Sequence, residues 1–159
     1  MEYHEEFEDE LFTGRGFLEG DKKEGTWYYF YDTGELKQEI EYMKGIEHGI
    51  YKFFSKDGKL LISSTNVNGL LNGEWREYYE DGQLKEIGKY NNNEYSPIDF
   101  WDQEGNQLLK NGTGKRIEEY GANALIDIYE QYYNEGRFVK EMKIQGYTYL
   151  GFTPKEKED

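Results

Sequence analysis

Aromatic residues and glycines recur along this chain with a period of 24 residues. Three segments, 25–36, 49–60 and 73–84, align without gaps. The matched columns are two of glycine, two of aromatic residues and one of leucine: Gly25, Gly49 and Gly73; Gly34, Gly58 and Gly82; Trp27, Tyr51 and Trp75; Phe30, Phe54 and Tyr78; Leu36, Leu60 and Leu84. A fixed period of this length is the sequence signature of a repeat architecture.

The repeat divides the chain, which we take as a single repeat domain over residues 1–159. A slip of one residue near Ser96-Pro97 and an insertion near Tyr120–Ile128 interrupt the period. The predicted parts are an acidic N-terminal cap with half a repeat at 1–24, repeats at 25–48, 49–72, 73–95 and 96–113, a divergent C-terminal repeat with an insertion at 114–150, and a charged tail at 151–159.

Each repeat is predicted to be a β-hairpin. Asp-Gly pairs at 57–58 and 81–82 lie between runs of β-forming residues, which is a strong signal for a tight turn. Glycine at the second turn position accepts the positive φ that a type I′ turn requires. A two-residue turn at 81–82 sets these cross-strand pairs: Tyr79 with Leu84, Trp75 with Gly88, and Gly73 with Tyr90. The small Gly88 leaves room for the indole of Trp75.

Side chains alternate along a strand and cross-strand partners share a face, so this register gathers the repeated columns on one face. The predicted repeat core on that face is Trp27, Leu36, Tyr42, Tyr51, Leu60, Trp75, Leu84 and Tyr90. Consecutive hairpins are expected to pair edge to edge. The predicted fold is therefore all-β: tandem hairpin repeats in an elongated, single-layer antiparallel sheet with atypical terminal repeats.

The opposite face carries a second column of aromatic residues, whereas a half-buried sheet would show polar residues there. The column is Phe30, Phe54, Tyr78 and Trp101, with Tyr132 in line. One explanation is a β-bulge that turns these side chains inward. The other is an aromatic ladder along the second face, which either stiffens the sheet or binds a partner. Phe30, Phe54, Tyr78 and Trp101 are therefore candidate partner-binding positions.

The net charge of the chain argues against some classes of function. The chain has 33 Asp and Glu against 19 Lys and Arg, a formal charge of −14. That balance argues against direct nucleic-acid binding and against docking on an anionic membrane. The acidic residues concentrate at the N-terminus, as Glu2, Glu5, Glu6, Glu8, Asp9 and Glu10. This segment is either a solvated cap or a surface that steers a basic partner. Its members from Glu5 onward are candidate partner-binding residues.

Little in the sequence points to catalysis. There is no cysteine, and His4 and His48 lack metal-ligand spacing. The run Asn111-Gly112-Thr113-Gly114 is not followed by the residues of a phosphate loop. We expect a protein that is not an enzyme and that uses no cofactor and no metal. The N-terminus has neither the basic region nor the apolar run of a secretory signal, so the expected location is the cytoplasm.

The repeat resembles a known family. The pattern Gly73-x-Trp75-x-x-Tyr78-Tyr79-x-Asp81-Gly82-Gln83-Leu84, closed by Tyr90, is similar to the bacterial variant of the MORN repeat, and residues 105–114 are also typical of it. Such arrays occur in the YwqK-type antitoxin family. The resemblance covers residues 11–115 well and 116–150 poorly. It implies a cytoplasmic antitoxin or immunity protein that binds and blocks a cognate toxin. The alternative is a non-catalytic scaffold or adaptor.

Overall fold

A computed structural model describes residues 1–8, 11–122 and 125–148. These residues form β-strands joined by turns, with no helix among them. The strands are β1 (Glu2–Glu8), β2 (Leu11–Glu19), β3 (Lys22–Phe30), β4 (Leu36–Met43), β5 (Ile46–Phe54), β6 (Leu60–Val67), β7 (Leu70–Leu71), β8 (Gly73–Tyr78), β9 (Leu84–Asn91), β10 (Glu94–Trp101), β11 (Gln107–Lys110), β12 (Thr113–Ala122), β13 (Leu125–Asn134) and β14 (Arg137–Thr148).

The strands follow one another in chain order, and only the short β7 stands beside this path, paired with β6. Neighbouring strands are antiparallel throughout the pairs that the structure describes. The predicted all-β fold of tandem antiparallel hairpins is confirmed. The chain forms two compact units, at residues 1–97 and 98–159. Each unit is built in the same way, from hairpins whose strands pair with the next hairpin along the chain.

The hairpins within the repeats close with a three-residue turn. In the third repeat the Gly82 N–H donates to the carbonyl of Tyr79, and the Tyr79 N–H donates to the carbonyl of Gln83, both at 2.9 Å. Within this loop only Gly82 has a positive φ, of 92°. The same pair of bonds closes the turns at 31–35, 55–59 and 102–106. The predicted two-residue type I′ turn is therefore wrong, because such a turn requires positive φ at both central residues.

A β-bulge beside each turn restores the predicted register further along the strands. Tyr78 lies opposite Leu84, and Glu77 lies opposite Glu86, so Lys85 is an extra residue in β9. The pairing of Tyr79 with Leu84 is thus wrong. Beyond the bulge the predicted pairs are present: Trp75 with Gly88 and Gly73 with Tyr90. The extra residue of the turn and the extra residue of the bulge compensate each other.

The same bulge places the second aromatic column. The register shifts immediately before Phe30, Phe54, Tyr78 and Trp101. The first three lie opposite Leu36, Leu60 and Leu84, and the fourth lies opposite Gln107. All four aromatic side chains are half-buried. A bulge therefore accompanies each of these residues.

Type I′ turns do occur, but between repeats. Consecutive residues have positive φ at Lys44 (54°) and Gly45 (83°), and again at Asn68 (54°) and Gly69 (80°). These turns are linked across repeats, since the Gly45 N–H donates to the Lys23 carbonyl and the Gly69 N–H donates to the Glu47 carbonyl. Within residues 1–97, each of these type I′ turns is thus bonded to the residues beside the preceding turn, and the Asp-Gly turns lie at the opposite ends of the strands.

The last hairpin is longer than those of the regular repeats. β12 and β13 have ten residues each, and Gly114 pairs with Tyr133. The residues of the predicted insertion near Tyr120–Ile128 therefore lengthen this hairpin, apart from 123–124, which lie outside the described residues. The predicted charged tail at 151–159 also lies outside them.

Burial is concentrated at a few positions of the array. Trp27 and Leu109 are fully buried, Phe100 is 2% exposed and Ile40 is 6% exposed. Trp27 faces Ile40 across β3 and β4, and Phe100 faces Leu109 across β10 and β11. Apart from Trp27, the predicted repeat-core residues are half-buried: Leu36, Tyr42, Tyr51, Leu60, Trp75, Leu84 and Tyr90.

Candidate partner-binding surfaces

The acidic N-terminus is an ordered strand. β1 pairs with β2 over its whole length, from Glu2 opposite Leu18 to Glu8 opposite Leu11. The side chains of Glu2, Glu5 and Glu8 are exposed, whereas Glu6 is half-buried. Asp9 and Glu10 lie outside the described residues. The structure thus presents a row of exposed carboxylates on a fixed backbone.

Glu6 connects β1 to an aromatic cluster in the first repeat. The Lys23 Nζ forms an ion pair with Glu6 Oε1 at 2.8 Å and donates to the Tyr29 hydroxyl at 2.7 Å. The same Nζ lies 4.4 Å from the ring centre of Trp27, 5.0 Å from that of Tyr29 and 5.5 Å from that of Tyr42. Three aromatic rings and a carboxylate therefore hold the Lys23 ammonium, an arrangement that stabilises a cation through ring quadrupoles.

The tyrosines of this cluster share a hydrogen bond, with 3.2 Å between the hydroxyl oxygens of Tyr29 and Tyr42. Burial raises the pKa of both hydroxyls above the ordinary value of 10.0. The bond from Tyr42 partly offsets this effect at Tyr29, and the bond to Tyr29 adds to it at Tyr42. Both tyrosines are therefore neutral hydrogen-bonding groups at physiological pH.

Trp27 occupies space that two glycines of β2 leave open. Gly16 lies under the indole, where a Cβ would overlap the ring, and Gly14 lies under the ring of Tyr29. The indole N–H donates to the Phe17 carbonyl at 3.0 Å, and His4 of β1 lies 6.0 Å from the indole. β1 and β2 therefore form one side of a packed cluster, which explains why the acidic segment has a fixed position.

The other side of β1 is exposed and aromatic. Tyr3 is 55% exposed and Phe7 is 59% exposed, and Tyr3 stacks edge-on against Phe17 of β2 at 5.9 Å. The Tyr3 hydroxyl donates to Glu5 Oε1 at 2.9 Å. We name five exposed side chains of this strand, Glu2, Tyr3, Glu5, Phe7 and Glu8, the acidic–aromatic surface. Tyr3, Glu5 and Phe7 share one face of the strand, and Glu2 and Glu8 lie on the other. Exposed aromatic side chains beside charged ones are typical of protein interaction sites.

The second aromatic column lies next to a row of charged residues. Tyr28 is followed across neighbouring strands by Glu39 and Lys52, whose side chains form an ion pair at 2.8 Å. A cavity of about 180 Å³ opens beside them, lined by Thr26, Tyr28, Glu39, Glu41, Ile50 and Lys52. Phe30 takes part in a cation–π contact with Arg15 at 5.2 Å. This side of the sheet is polar, with its aromatic residues partly covered.

The third repeat holds a cluster that sequence reasoning missed. Glu86 is 1% exposed and accepts a hydrogen bond from the Tyr95 hydroxyl at 2.5 Å. The Tyr95 ring lies over Gly88, so Tyr95 fills the space beside Gly88 that was predicted for the Trp75 indole. That assignment is corrected here. The missing signal is that Tyr95 belongs to the next strand, outside the hairpin from which the prediction was made.

None of these surfaces has the geometry of a metal site. Among residues 1–8, 11–122 and 125–148, no group of three or more His, Asp or Glu side chains is placed to hold a metal ion. In the same part of the chain, no helix has the length and hydropathy that a membrane span requires. His48 lies in strand β5, where its ring accepts a bond of 3.4 Å from the Asn68 N–H of a turn between repeats.

Comparison with protein-family models finds one match, to the MORN repeat variant, at residues 23–44, 47–65 and 71–92. The three matches coincide with the hairpins β3–β4, β5–β6 and β8–β9. Comparisons with curated proteins and with solved structures found no significant match. The matched segments cover less than half of the chain, but they include the whole regular part of the array. This protein therefore carries MORN-type repeats, which suggest a repeat-based binding module.

Proposed function

We propose that this protein is an antitoxin or immunity protein, which binds a basic protein toxin and blocks it. The observation that carries the proposal is the acidic–aromatic surface of β1. It presents three exposed carboxylates, Glu2, Glu5 and Glu8, beside two exposed aromatic side chains, on a strand with a fixed position. The MORN-type repeats support a binding role, and the resemblance to antitoxin arrays suggests which role it is.

Electrostatics favours a basic partner. The chain has a formal charge of −14, and β1 contains four carboxylates and neither Lys nor Arg. Charge of one sign on a surface speeds association with a partner of the opposite sign and slows it with others. Toxins that act on nucleic acids must bind phosphates and are therefore basic at their active sites. An acidic inhibitor suits such a toxin.

Besides the electrostatic attraction, exposed aromatic side chains are expected to contribute apolar contacts to binding. Tyr and Phe at the centre of an interface bury a large apolar area at a small cost in side-chain entropy. Glu5 lies between Tyr3 and Phe7 on one face of β1, and Glu2 and Glu8 lie on the other face of the same strand, so a partner that covers this strand meets both kinds of group. We expect the carboxylates to control the association rate and the aromatic residues to control the dissociation rate.

The test is co-expression with the product of the neighbouring reading frame. We expect a complex of the two proteins and rescue of growth, with an affinity that falls by about tenfold or more between about 50 and about 300 mM salt. A triple variant, Glu2→Gln, Glu5→Gln and Glu8→Gln, is expected to associate more slowly. The matched control carries the same change of charge at exposed hairpin turns, Asp57→Asn, Glu80→Gln and Glu104→Gln, and is expected to bind like the unmodified chain.

Two results would contradict the proposal. One is co-expression that gives neither a complex nor rescue of growth. The other is a complex that forms without rescue, which would favour the alternative of a scaffold or adaptor. If the triple variant and its control weaken binding equally, the partner is attracted by the net charge of the chain, and the acidic–aromatic surface is not its docking site.

A further inference from the structure

Two strands stand at the ends of the strand order. Among the strands that the structure describes, β1 pairs only with β2, and β14 pairs only with β13. A terminal strand presents its outer N–H and C=O groups to any strand of matching length and charge. The two terminal strands are therefore the natural places for this chain to add a strand from another molecule.

β14 is exposed to an extent that no strand in the interior of the strand order shows. Every residue from Arg137 to Glu141 is exposed, as are the next two. Phe138 is 57% exposed, Val139 is 59% exposed and Met142 is 49% exposed. Val139 is the extra residue of a bulge, between the pairs Tyr133 with Phe138 and Tyr132 with Lys140. Three large apolar side chains thus lie on the surface of a terminal strand.

The charges of the two terminal strands are opposite. Between residues 137 and 144, β14 carries three basic side chains, Arg137, Lys140 and Lys143, against one carboxylate, Glu141. β1 carries four carboxylates and no Lys or Arg. The basic side chains of β14 are partly engaged within the chain, since Lys140 lies over Tyr132 at 4.7 Å and Lys143 pairs with Asp127 at 2.7 Å. These contacts leave both lysines at the surface.

Two copies of the chain could pair β1 with β1, β14 with β14, or β1 with β14, and the distribution of charge favours the last of these. Two β1 strands side by side would place carboxylates against carboxylates, and two β14 strands would place basic groups against basic groups. Lysines on a terminal strand protect against pairing with another basic strand, but they favour pairing with an acidic one. We propose that β14 of one copy of this chain adds to β1 of a second copy.

The pairing is heterologous, because the two copies contribute different strands. A pair of chains joined in this way still has one unpaired β1 and one unpaired β14. Association therefore continues beyond the dimer, or it ends when a ring closes. Exposed apolar side chains on both strands, Phe7 on one and Phe138 on the other, then come to lie at the junction between copies.

The first measurement uses the purified, unmodified chain alone. Its weight-average mass is determined by light scattering or sedimentation from about 1 µM to about 1 mM. We expect a mass that rises with concentration past that of a dimer, and that falls when salt is added. A mass that stays at 18.9 kDa over the whole range would overturn the proposal. A dimer that forms no larger species is either a two-membered ring or a pairing of like strands, and it overturns the proposal if the charge variants described next associate like the unmodified chain.

Charge exchange gives the sharper test. One variant carries Glu2→Lys, Glu5→Lys and Glu8→Lys, so that both of its terminal strands are basic. The other carries Arg137→Glu and Lys140→Glu, so that both are acidic. Each variant alone is expected to associate at least about tenfold more weakly than the unmodified chain. An equimolar mixture is expected to regain association, because each junction then joins strands of opposite charge.

The control for β1 moves the same charges to the hairpin turns, as Asp57→Lys, Glu80→Lys and Glu104→Lys, and is expected to associate normally. Circular dichroism establishes that each variant keeps its strands, and glutamine versions replace any lysine variant that does not. If the variants associate like the unmodified chain, or if their mixture stays monomeric, the proposal is wrong. No toxin is present in these measurements, so their outcome is independent of the proposed function.

Discussion

Trp27 and Trp75 hold the same position in the first and third repeats, but their surroundings differ. Trp27 is fully buried, lies on Gly16 of the preceding hairpin and donates to the Phe17 carbonyl. Trp75 is half-buried and packs edge-on against Tyr90 at 5.5 Å. Its cross-strand partner Gly88 is covered by another side chain. The comparison shows that a repeated residue acquires its burial from the neighbouring hairpin, because one hairpin has too little area to enclose an indole.

The largest effect expected from this comparison is that of Trp27→Ala. Removing a fully buried indole leaves a cavity and removes the hydrogen bond to the Phe17 carbonyl, so we expect a loss of about 3–5 kcal/mol in the free energy of unfolding. Denaturant unfolding followed by circular dichroism measures it. A loss below about 1 kcal/mol would contradict the packing of β1 and β2 against this residue, and it would remove the contrast between the two repeats.

The next largest effect is expected from Gly16→Ala. The backbone of Gly16 accepts any residue, since its φ is not positive, but the added methyl overlaps the Trp27 indole. The indole is enclosed and cannot move away, so we expect a destabilisation of about 2–3 kcal/mol. Gly88→Ala is the matched control. There the methyl meets the outer end of the Tyr95 ring, and the expected loss is that of the bond from Tyr95 to Glu86, about 1–2 kcal/mol. Equal losses at the two sites would show that the clusters are equally rigid.

A smaller effect is expected from Trp75→Ala. The indole is half-buried, so its truncation should lower the free energy of unfolding by about 1–2 kcal/mol, less than half the loss at Trp27. The fluorescence of Trp75 gives an independent check, since a half-exposed indole should be quenched by acrylamide more readily than Trp27. If both substitutions cost the same, the burial of a repeat position is set by the hairpin itself, and our account of the neighbour's role is wrong.

Much of the fold could be predicted because the 24-residue period determines where each hairpin lies in the sequence. Five repeated columns of glycine, aromatic residues and leucine sufficed to place the hairpins, their order and the distant pairs such as Trp75 with Gly88. The turn itself was mispredicted, since Asp-Gly is compatible with a type I′ turn and also with a three-residue turn that ends in a single positive-φ glycine. A bulge two residues further along cancels the difference, so the error stayed local.

The candidate sites were less predictable, and the reason is the same in each case. Lys23 forms an ion pair with Glu6 of the preceding hairpin, and Tyr95 covers Gly88 from the strand after its hairpin. Both contacts join residues of neighbouring hairpins, whereas the sequence analysis paired residues only within a hairpin. The acidic segment was predicted from charge, but its order as β1 follows from His4 and Glu6 packing against the first repeat.

The smallest effect concerns the hydroxyls beside Trp27. Burial raises the pKa of Tyr42, and also that of Tyr29, above the ordinary value of 10.0. A tyrosine whose pKa is raised in the folded state contributes stability that is complete below pH 10 and that is lost as the pH rises above it. In a titration followed by tyrosinate absorbance, we expect Tyr42→Phe to remove one hydroxyl from the group that ionises last, together with unfolding. If Tyr42→Phe instead removes a hydroxyl that ionises near pH 10, the cluster around Lys23 is open to water. The surroundings of Trp27 and Trp75 would then differ less than the structure indicates.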